Sequence, residues 1–233
     1  MKKQLILSLF LLAPLVPAMA QDFTRQREMM VQEQLADRGI SSKAVLDAMR
    51  MVERHRFVPS SQVAFAYLDS PLPIGEGQTI SQPYIVAFMT EALKLKSTDV
   101  VLEVGTGSGY QAAILGKLCR MVYTIEIIRS LGRRSDSLLS VLGYSNIHVR
   151  VGDGYAGWQE AAPYDAIIVT CSPSHVPLPL QDQLKEGGRM IIPVGEGRRQ
   201  ELVFLTKLDG KIKQQRRLSV SFVPMKDAKG KRY

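Results

Sequence analysis

Cysteine is scarce in this chain, with Cys119 and Cys171 alone among 233 residues. Two thiols exclude a disulfide-built scaffold. Neither has a second Cys or a His at ligand spacing, so no metal is expected. Histidine is equally thin. His55, His148 and His175 sit at ordinary positions without a carboxylate at acid–base spacing, so none is expected to be catalytic; His175 at most lines a pocket rim. Aromatics make up 7% of residues, and the one tryptophan, Trp158, reads as core. The formal charge is +8, yet no basic stripe with interleaved aromatics appears. Nucleic acid is therefore not expected as a partner. No internal repeat is visible, and the one long apolar run is Leu5 to Val16.

That run follows Lys2-Lys3 and precedes Ala18-Met19-Ala20. It is shorter than the roughly 20 apolar residues of a membrane span. The pattern reads as a signal peptide over residues 1–20, cut before Gln21. A periplasmic or secreted protein is expected, with no membrane association after cleavage, and its charge is +6 without Lys2 and Lys3.

Length favours a single domain over 21–225, with a flexible tail at 226–233. Residues 21–76 read as an N-terminal helical part. Phe23–Leu35 has a helical pattern, Ser41-Ser42 offers an N-cap for a helix to about Val52, and Pro59 closes the region. Leu72-Pro-Ile-Gly-Glu-Gly77 is too rich in Pro and Gly to be anything but a loop, and Gln82–Leu95 is helical. Residues 77–195 then alternate. Strands are expected at Val100–Val104, Met121–Ile125, Ile147–Val151, Asp165–Val169 and Gly188–Val194, and helices at Tyr110–Leu118, Ser130–Leu142 and Leu178–Leu184. This implies an α/β fold with a doubly wound, mostly parallel, Rossmann-like sheet. In residues 196–225, Glu201–Leu208 and Leu218–Val223 read as a C-terminal hairpin, with Asp209-Gly210 early in the link. In that fold Cys119 and Cys171 fall at opposite edges of the sheet, about 17–20 Å apart, and are expected to be free and mostly buried.

The chemistry concentrates at Glu103-Val-Gly-Thr-Gly-Ser-Gly109, directly after the apolar Val100-Val-Leu102. Gly105 and Gly107 let a ligand approach the backbone of a strand-to-helix turn. The spacing is not the G-x-G-x-x-G of dinucleotide folds, and the acidic Glu103 suits a cationic ligand. Glu126 ends the next strand, where a carboxylate accepts from ribose hydroxyls, and Asp153 in Gly152-Asp-Gly154 is placed to read an adenine edge. Three strands thus end in acids on one rim. An adenosine with a positive neighbour fits them, S-adenosylmethionine better than NAD.

Six segments in order, Gly77-Gln-Thr-Ile-Ser-Gln-Pro83, Val101-Leu-Glu-Val-Gly-Thr-Gly-Ser-Gly-Tyr-Gln111, Gly152-Asp-Gly154, Pro163-Tyr-Asp-Ala-Ile-Ile-Val169, Leu184-Lys-Glu-Gly-Gly-Arg189 and Phe222-Val-Pro-Met225, closely resemble the protein-L-isoaspartate O-methyltransferases. The resemblance covers residues 24–225. It implies methyl transfer from S-adenosylmethionine to the carboxylate of an L-isoaspartyl residue in a damaged polypeptide, yielding S-adenosylhomocysteine. The ester then closes to a succinimide, which hydrolyses partly to aspartate. By resemblance Ser81 is the active-site residue, Thr79 and Ile80 lie near cofactor and substrate, Val223 returns over the pocket, and Gly154 belongs to the cofactor-binding set with Gly105, Gly107 and Glu126. From its own surroundings Ser81 reads first as the N-cap of the helix that follows, a role compatible with facing a ligand, and the resemblance shifts the reading to the functional role. Asp165 begins its strand, on the rim away from the chemistry, and reads as structural. The protein is expected to be a monomer. Thr170-Cys-Ser-Pro-Ser-His175 departs from the family's usual alanines and prolines, which bears on the substrate entrance. Two other readings stay open: methylation of a different acid, and binding of isoaspartyl or adenosyl groups without turnover.

Overall fold

The computed structural model describes residues 22–197 and 199–233, so the signal-peptide reading of residues 1–20 lies outside the described residues. A seven-stranded sheet forms the centre, in the order β5-β4-β3-β6-β7-β8-β9. Its strands are β3 (Val100–Val104), β4 (Met121–Glu126), β5 (Ile147–Val151), β6 (Tyr164–Val169), β7 (Leu184–Glu196), β8 (Arg199–Leu208) and β9 (Lys211–Val220). β3 to β7 are parallel, and β8 and β9 add antiparallel to that edge. β3 and β6 lie side by side although two strands intervene in sequence, so the switch in strand order falls between them. In open α/β sheets the ligand crevice lies at such a switch point, outside the carboxyl ends of the strands.

β3 and β6 are the most deeply buried strands because both faces are covered. One face packs under α3 (Pro83–Ala92), α4 (Tyr110–Gly116) and the N-terminal helices α1 (Phe23–Met29) and α2 (Lys43–Met51), with Val101, Ile114 and Ile168 in that cluster. Leu102, Ile167 and Met190 join a second cluster with Leu180 of α6 (Leu178–Asp182). α5 (Arg129–Val141) lies beside β4 and β5. The strand-start rim is locked by ion pairs. Asp165 accepts the Val100 N–H at 2.9 Å and pairs with Lys185 at 2.8 Å, and Arg189 reaches the buried Asp99 at 2.7 Å. Asp165 is structural, as its position at the strand start implies.

Several boundaries differ from the sequence expectation. Phe23–Leu35 is not one regular helix: after Met29 the chain widens into π-helical turns, Met30–Leu35, and a 3-10 turn ends at Gly39 in the left-handed region. Leu72–Gly77 is not a loop. Leu72–Gly75 (β1) pairs antiparallel with Gln78–Ile80 (β2), and Glu76 and Gly77 turn at positive φ. Pro73 survives in β1 because a two-stranded ribbon is all edge. β9 begins at Lys211, seven residues before the expected Leu218. Its exposed Lys211, Lys213 and Arg216 hide the strand from any apolar alternation, and Asp209-Gly210 is the whole two-residue link, both at positive φ.

The segment expected as a flexible tail makes defined contacts. Residues 226–233 fold back as a turn, with Lys226 bridged antiparallel to Arg232 and the Tyr233 N–H donating to the Met225 carbonyl at 3.2 Å. The composition is polar, but the ring of Tyr233 finds a partner that no local pattern reveals. Cys119 and Cys171 are both free, the first buried and the second half-buried.

Candidate active site

The carboxyl rim carries a cavity of about 300 Å³ and, against it, a second of about 450 Å³. The first is walled by Gly105, Gly107, Glu126, Ile127, Ile128, Gly154, Cys171 and the segment from Val223. The second holds Ser81, Gln82, Ile85 and residues 219–223. Thr79, Thr170 and Val223 line both, so the two spaces meet at those residues. A narrow cleft below them is lined by Ile80, Ser81, Glu103 and Tyr110.

The glycine turn is shaped by close backbone approach. Gly105 has φ of 101°, and a Cβ there would lie 2.3 Å from Thr170 Oγ1. That hydroxyl donates to the Gly105 carbonyl at 2.7 Å, which ties the ends of β3 and β6 together. A Cβ on Gly154 would fall 2.3 Å from Val104 Cγ1. Each glycine therefore lets two strand ends close into one floor.

Glu126 uses both carboxylate oxygens locally. One accepts the Gly107 N–H at 2.7 Å and the other the Ile128 N–H at 2.9 Å. It thereby fixes the glycine turn to the entrance of α5. Burial raises its pKa, while those backbone donors hold it down in part. Two of about four acceptor positions remain for ligand hydroxyls.

Glu103 is fully buried. One oxygen accepts the Thr124 hydroxyl at 2.5 Å, and that hydroxyl meets Thr106 Oγ1 at 2.6 Å. The other oxygen has no hydrogen-bond partner among the described residues. Burial drives its pKa up to about 8; the Thr124 hydroxyl opposes this and nearby Glu126 adds to it. An acid so placed favours an incoming cation.

Of the three acids only Glu126 lines the 300 Å³ cavity, and Glu103 lines the narrow cleft. Asp153 lines none of the three spaces; its oxygens accept the Tyr155 N–H, at 2.9 Å, and the Tyr233 hydroxyl. The carboxylate expected to read an adenine edge is thus paired with the folded 226–233 segment in this structure.

Ser81 does not cap the helix. Gln82 is the N-cap residue, without a side-chain cap bond, and Pro83 begins α3. Gln82 instead sends its side-chain amide to the Asp69 carbonyl at 3.2 Å, which anchors the loop. The Ser81 hydroxyl makes no hydrogen bond among the described residues and lines the second cavity.

The histidines lie off both cavities. His55 stacks on Phe23 at 4.1 Å, His148 stacks on Tyr123 at 5.3 Å, and His175 meets the Tyr155 hydroxyl at 3.1 Å. Sequence reasoning missed Thr170, which touches all three spaces, and the apolar walls Ile127, Ile128 and Met225. Ile127-Ile128 carried a signal, two apolar residues in a turn where the core cannot use both.

Apolar walls, a glycine floor, a carboxylate with spare acceptor capacity and a buried acid with one oxygen unpartnered among the described residues fit a nucleoside carrying a cationic arm. A doubly wound sheet with that site at its switch point defines an S-adenosylmethionine-dependent methyltransferase. The family profile of protein-L-isoaspartate(D-aspartate) O-methyltransferase matches residues 25–230. A protein-L-isoaspartate O-methyltransferase of Opitutus terrae is 55% identical over 202 residues, 86% of this chain and 87% of the relative. Protein-L-isoaspartate O-methyltransferase 1 of Nitrosospira multiformis is 52% identical over 215 residues, 91% of each chain. A solved protein-L-isoaspartate O-methyltransferase superposes with a TM-score of 0.79 at 31% identity, covering 84% of this chain and 65% of that one. A Plasmodium falciparum structure described under the same activity, in complex with S-adenosyl-L-homocysteine, gives 0.76 at 29% identity, covering 86% and 98%. The chain belongs to the protein-L-isoaspartate O-methyltransferase family.

Proposed function

We propose that this protein transfers the methyl group of S-adenosylmethionine to the carboxylate of L-isoaspartyl residues in damaged polypeptides, starting repair through a succinimide. The observation that carries this reading is the meeting of the two cavities at Thr79 and Thr170, with the Ser81 hydroxyl open to the second. The cofactor supplies an already activated methyl. The acceptor is a carboxylate, ionised near neutral pH, so no general base is needed. The chain's task is positioning and the exclusion of water. Gly105, Gly107, Gly154 and Glu126 would hold the nucleoside, and Glu103 would face the cationic arm. Thr79 and Val223 would divide cofactor from acceptor, with Ile80 beneath. The Ser81 hydroxyl would donate to the acceptor carboxylate. A neutral donor aims that group without the tight charge pairing that would blunt it as a nucleophile.

Methylation of an isoaspartyl peptide, with the aspartyl peptide as control, tests the assignment; equal transfer to both would overturn it. Ser81→Ala should lower kcat about tenfold or more and leave cofactor affinity within twofold, on the scale of one lost hydrogen bond to a charged group. Unchanged turnover removes Ser81 from the mechanism.

We further infer export, from Lys2-Lys3, the apolar run and Ala18-Met19-Ala20. The N-terminal sequence of native protein should begin at Gln21; a start at Met1 would sink export. A monomer is supported by the exposed lysines and Arg216 on edge strand β9, which oppose edge-to-edge pairing. Sedimentation as a dimer would overturn it.

A further inference from the structure

Residues 226–233 hold themselves in a turn, and among the described residues the hydrogen bonds and ring contacts that tie this turn to the rest of the protein run through Tyr233. The Asp227 carboxylate accepts the backbone N–H groups of Lys229 and Lys231, at 2.9 and 2.8 Å, and the Gly230 N–H donates to the Asp227 carbonyl at 2.9 Å. The turn places Lys226, Asp227, Ala228 and Gly230 on the wall of the 300 Å³ cavity. Lys226, Ala228 and Gly230 are themselves exposed, so burial in the core does not fix them there.

Their anchor is Tyr233. Its ring stacks on Tyr155 with centroids 4.1 Å apart and planes 18° from parallel. Its hydroxyl donates to Asp153, and its carbonyl accepts the Ser174 N–H at 3.0 Å. Asp153 and Tyr155 follow β5, whereas Ser174 follows β6. One residue therefore fastens the turn to loops on two sides of the cavity, and Tyr233 itself stays off the cavity wall.

We propose that Tyr233 is a latch: it holds the 226–233 turn over the cofactor cavity, and its release limits how fast the nucleoside enters and the demethylated product leaves. Tyr233 is a positioning residue, acting through the turn and through Asp153. A stacked aromatic pair plus a hydrogen bond to a carboxylate biases such an opening by roughly ten- to a hundredfold. That keeps the turn closed on average while leaving it open often enough for turnover. The inference rests on the reading of this cavity as the cofactor site.

The test uses the full chain and measures dissociation of labelled S-adenosylhomocysteine when excess S-adenosylmethionine is added. Tyr233→Ala should speed dissociation about tenfold or more and raise KM for the cofactor. The single-turnover rate at saturating cofactor should stay within twofold, with the unfolding temperature unmoved. Tyr233→Phe, which keeps the ring and loses the hydroxyl, should fall between. Deletion of 226–233 should match or exceed Tyr233→Ala. Wild-type and Tyr233→Ala proteins that release product at the same rate would overturn the latch alone. A wild-type protein that binds no S-adenosylhomocysteine would overturn the cofactor assignment and the latch with it.

Discussion

Glu103 offers the most direct test of how the cofactor's charge is received. Its carboxyl is fully buried, one oxygen lacks a partner among the described residues, and burial raises its pKa from 4.5 to about 8. At pH 7 the ligand-free acid is therefore about nine-tenths protonated. A cation settling near it favours the ionised form and draws the pKa back down. If binding returns it to the ordinary range, about 0.9 proton is released at pH 7, about half at pH 8 and about 0.1 at pH 9. Affinity for S-adenosylmethionine should accordingly strengthen nearly tenfold per pH unit below 8 and level off above it. The sign is the same in stability. With its folded pKa above its unfolded value, Glu103 supports the ligand-free fold fully below pH 4.5, and that support is lost as pH rises to about 8. The full span corresponds to on the order of 5 kcal/mol. Titration calorimetry of S-adenosylmethionine at pH 7 in phosphate and in Tris reads the proton directly, because the two buffers differ in ionisation enthalpy. Glu103→Gln keeps an acceptor for Thr124 and cannot ionise, so its heat should not depend on buffer and its stability should flatten between pH 5 and 8. Identical heats in both buffers for the wild type, or an undiminished buffer dependence in Glu103→Gln, would refute the reasoning.

Two substitutions probe the floor of the site. Glu126→Ala removes an acceptor from the cavity and strands the Gly107 and Ile128 N–H groups, so cofactor binding should weaken by about 1–3 kcal/mol; equal affinity in titration would refute the ribose role. Gly105→Ala meets two penalties at once, a φ of 101° and a Cβ 2.3 Å from Thr170 Oγ1. Left-handed strain of about 1–2 kcal/mol and crowding of about 1–3 kcal/mol should lower the unfolding temperature by roughly 5–15 °C. A variant with wild-type melting and cofactor affinity would show that the strand ends are not held this closely.

The sheet was legible because burial on both faces writes itself into sequence. Ala166-Ile-Ile-Val169 and Val100-Val-Leu102 are apolar without interruption, and only a covered parallel strand tolerates that. The acids at the strand ends were legible for a related reason: Glu103 and Glu126 directly follow or end apolar runs, so strand period and direction put them on one rim. β9 was not legible over its first seven residues, because an edge strand exposed to solvent has no apolar face to display. The β1–β2 ribbon was hidden by its own Pro and Gly, which signal turns and are tolerated at an edge.

Spacing along the chain determined the α/β order, the switch point and the identity of the glycine turn, since each depends on neighbours a few residues apart. Which carboxylate remains available depended on contacts between residues far apart. Asp153 and Glu126 look alike in sequence and each accepts two hydrogen bonds, but Asp153 is paired with Tyr233, 80 positions away, and lies off the cavity, whereas Glu126 is on its wall. Ser81 is likewise separated from a capping role only by the fold, which starts the helix one residue later than its side chain would need. A polar group's chemistry is fixed by its type, but its availability is fixed by whatever the folded chain brings within hydrogen-bond reach.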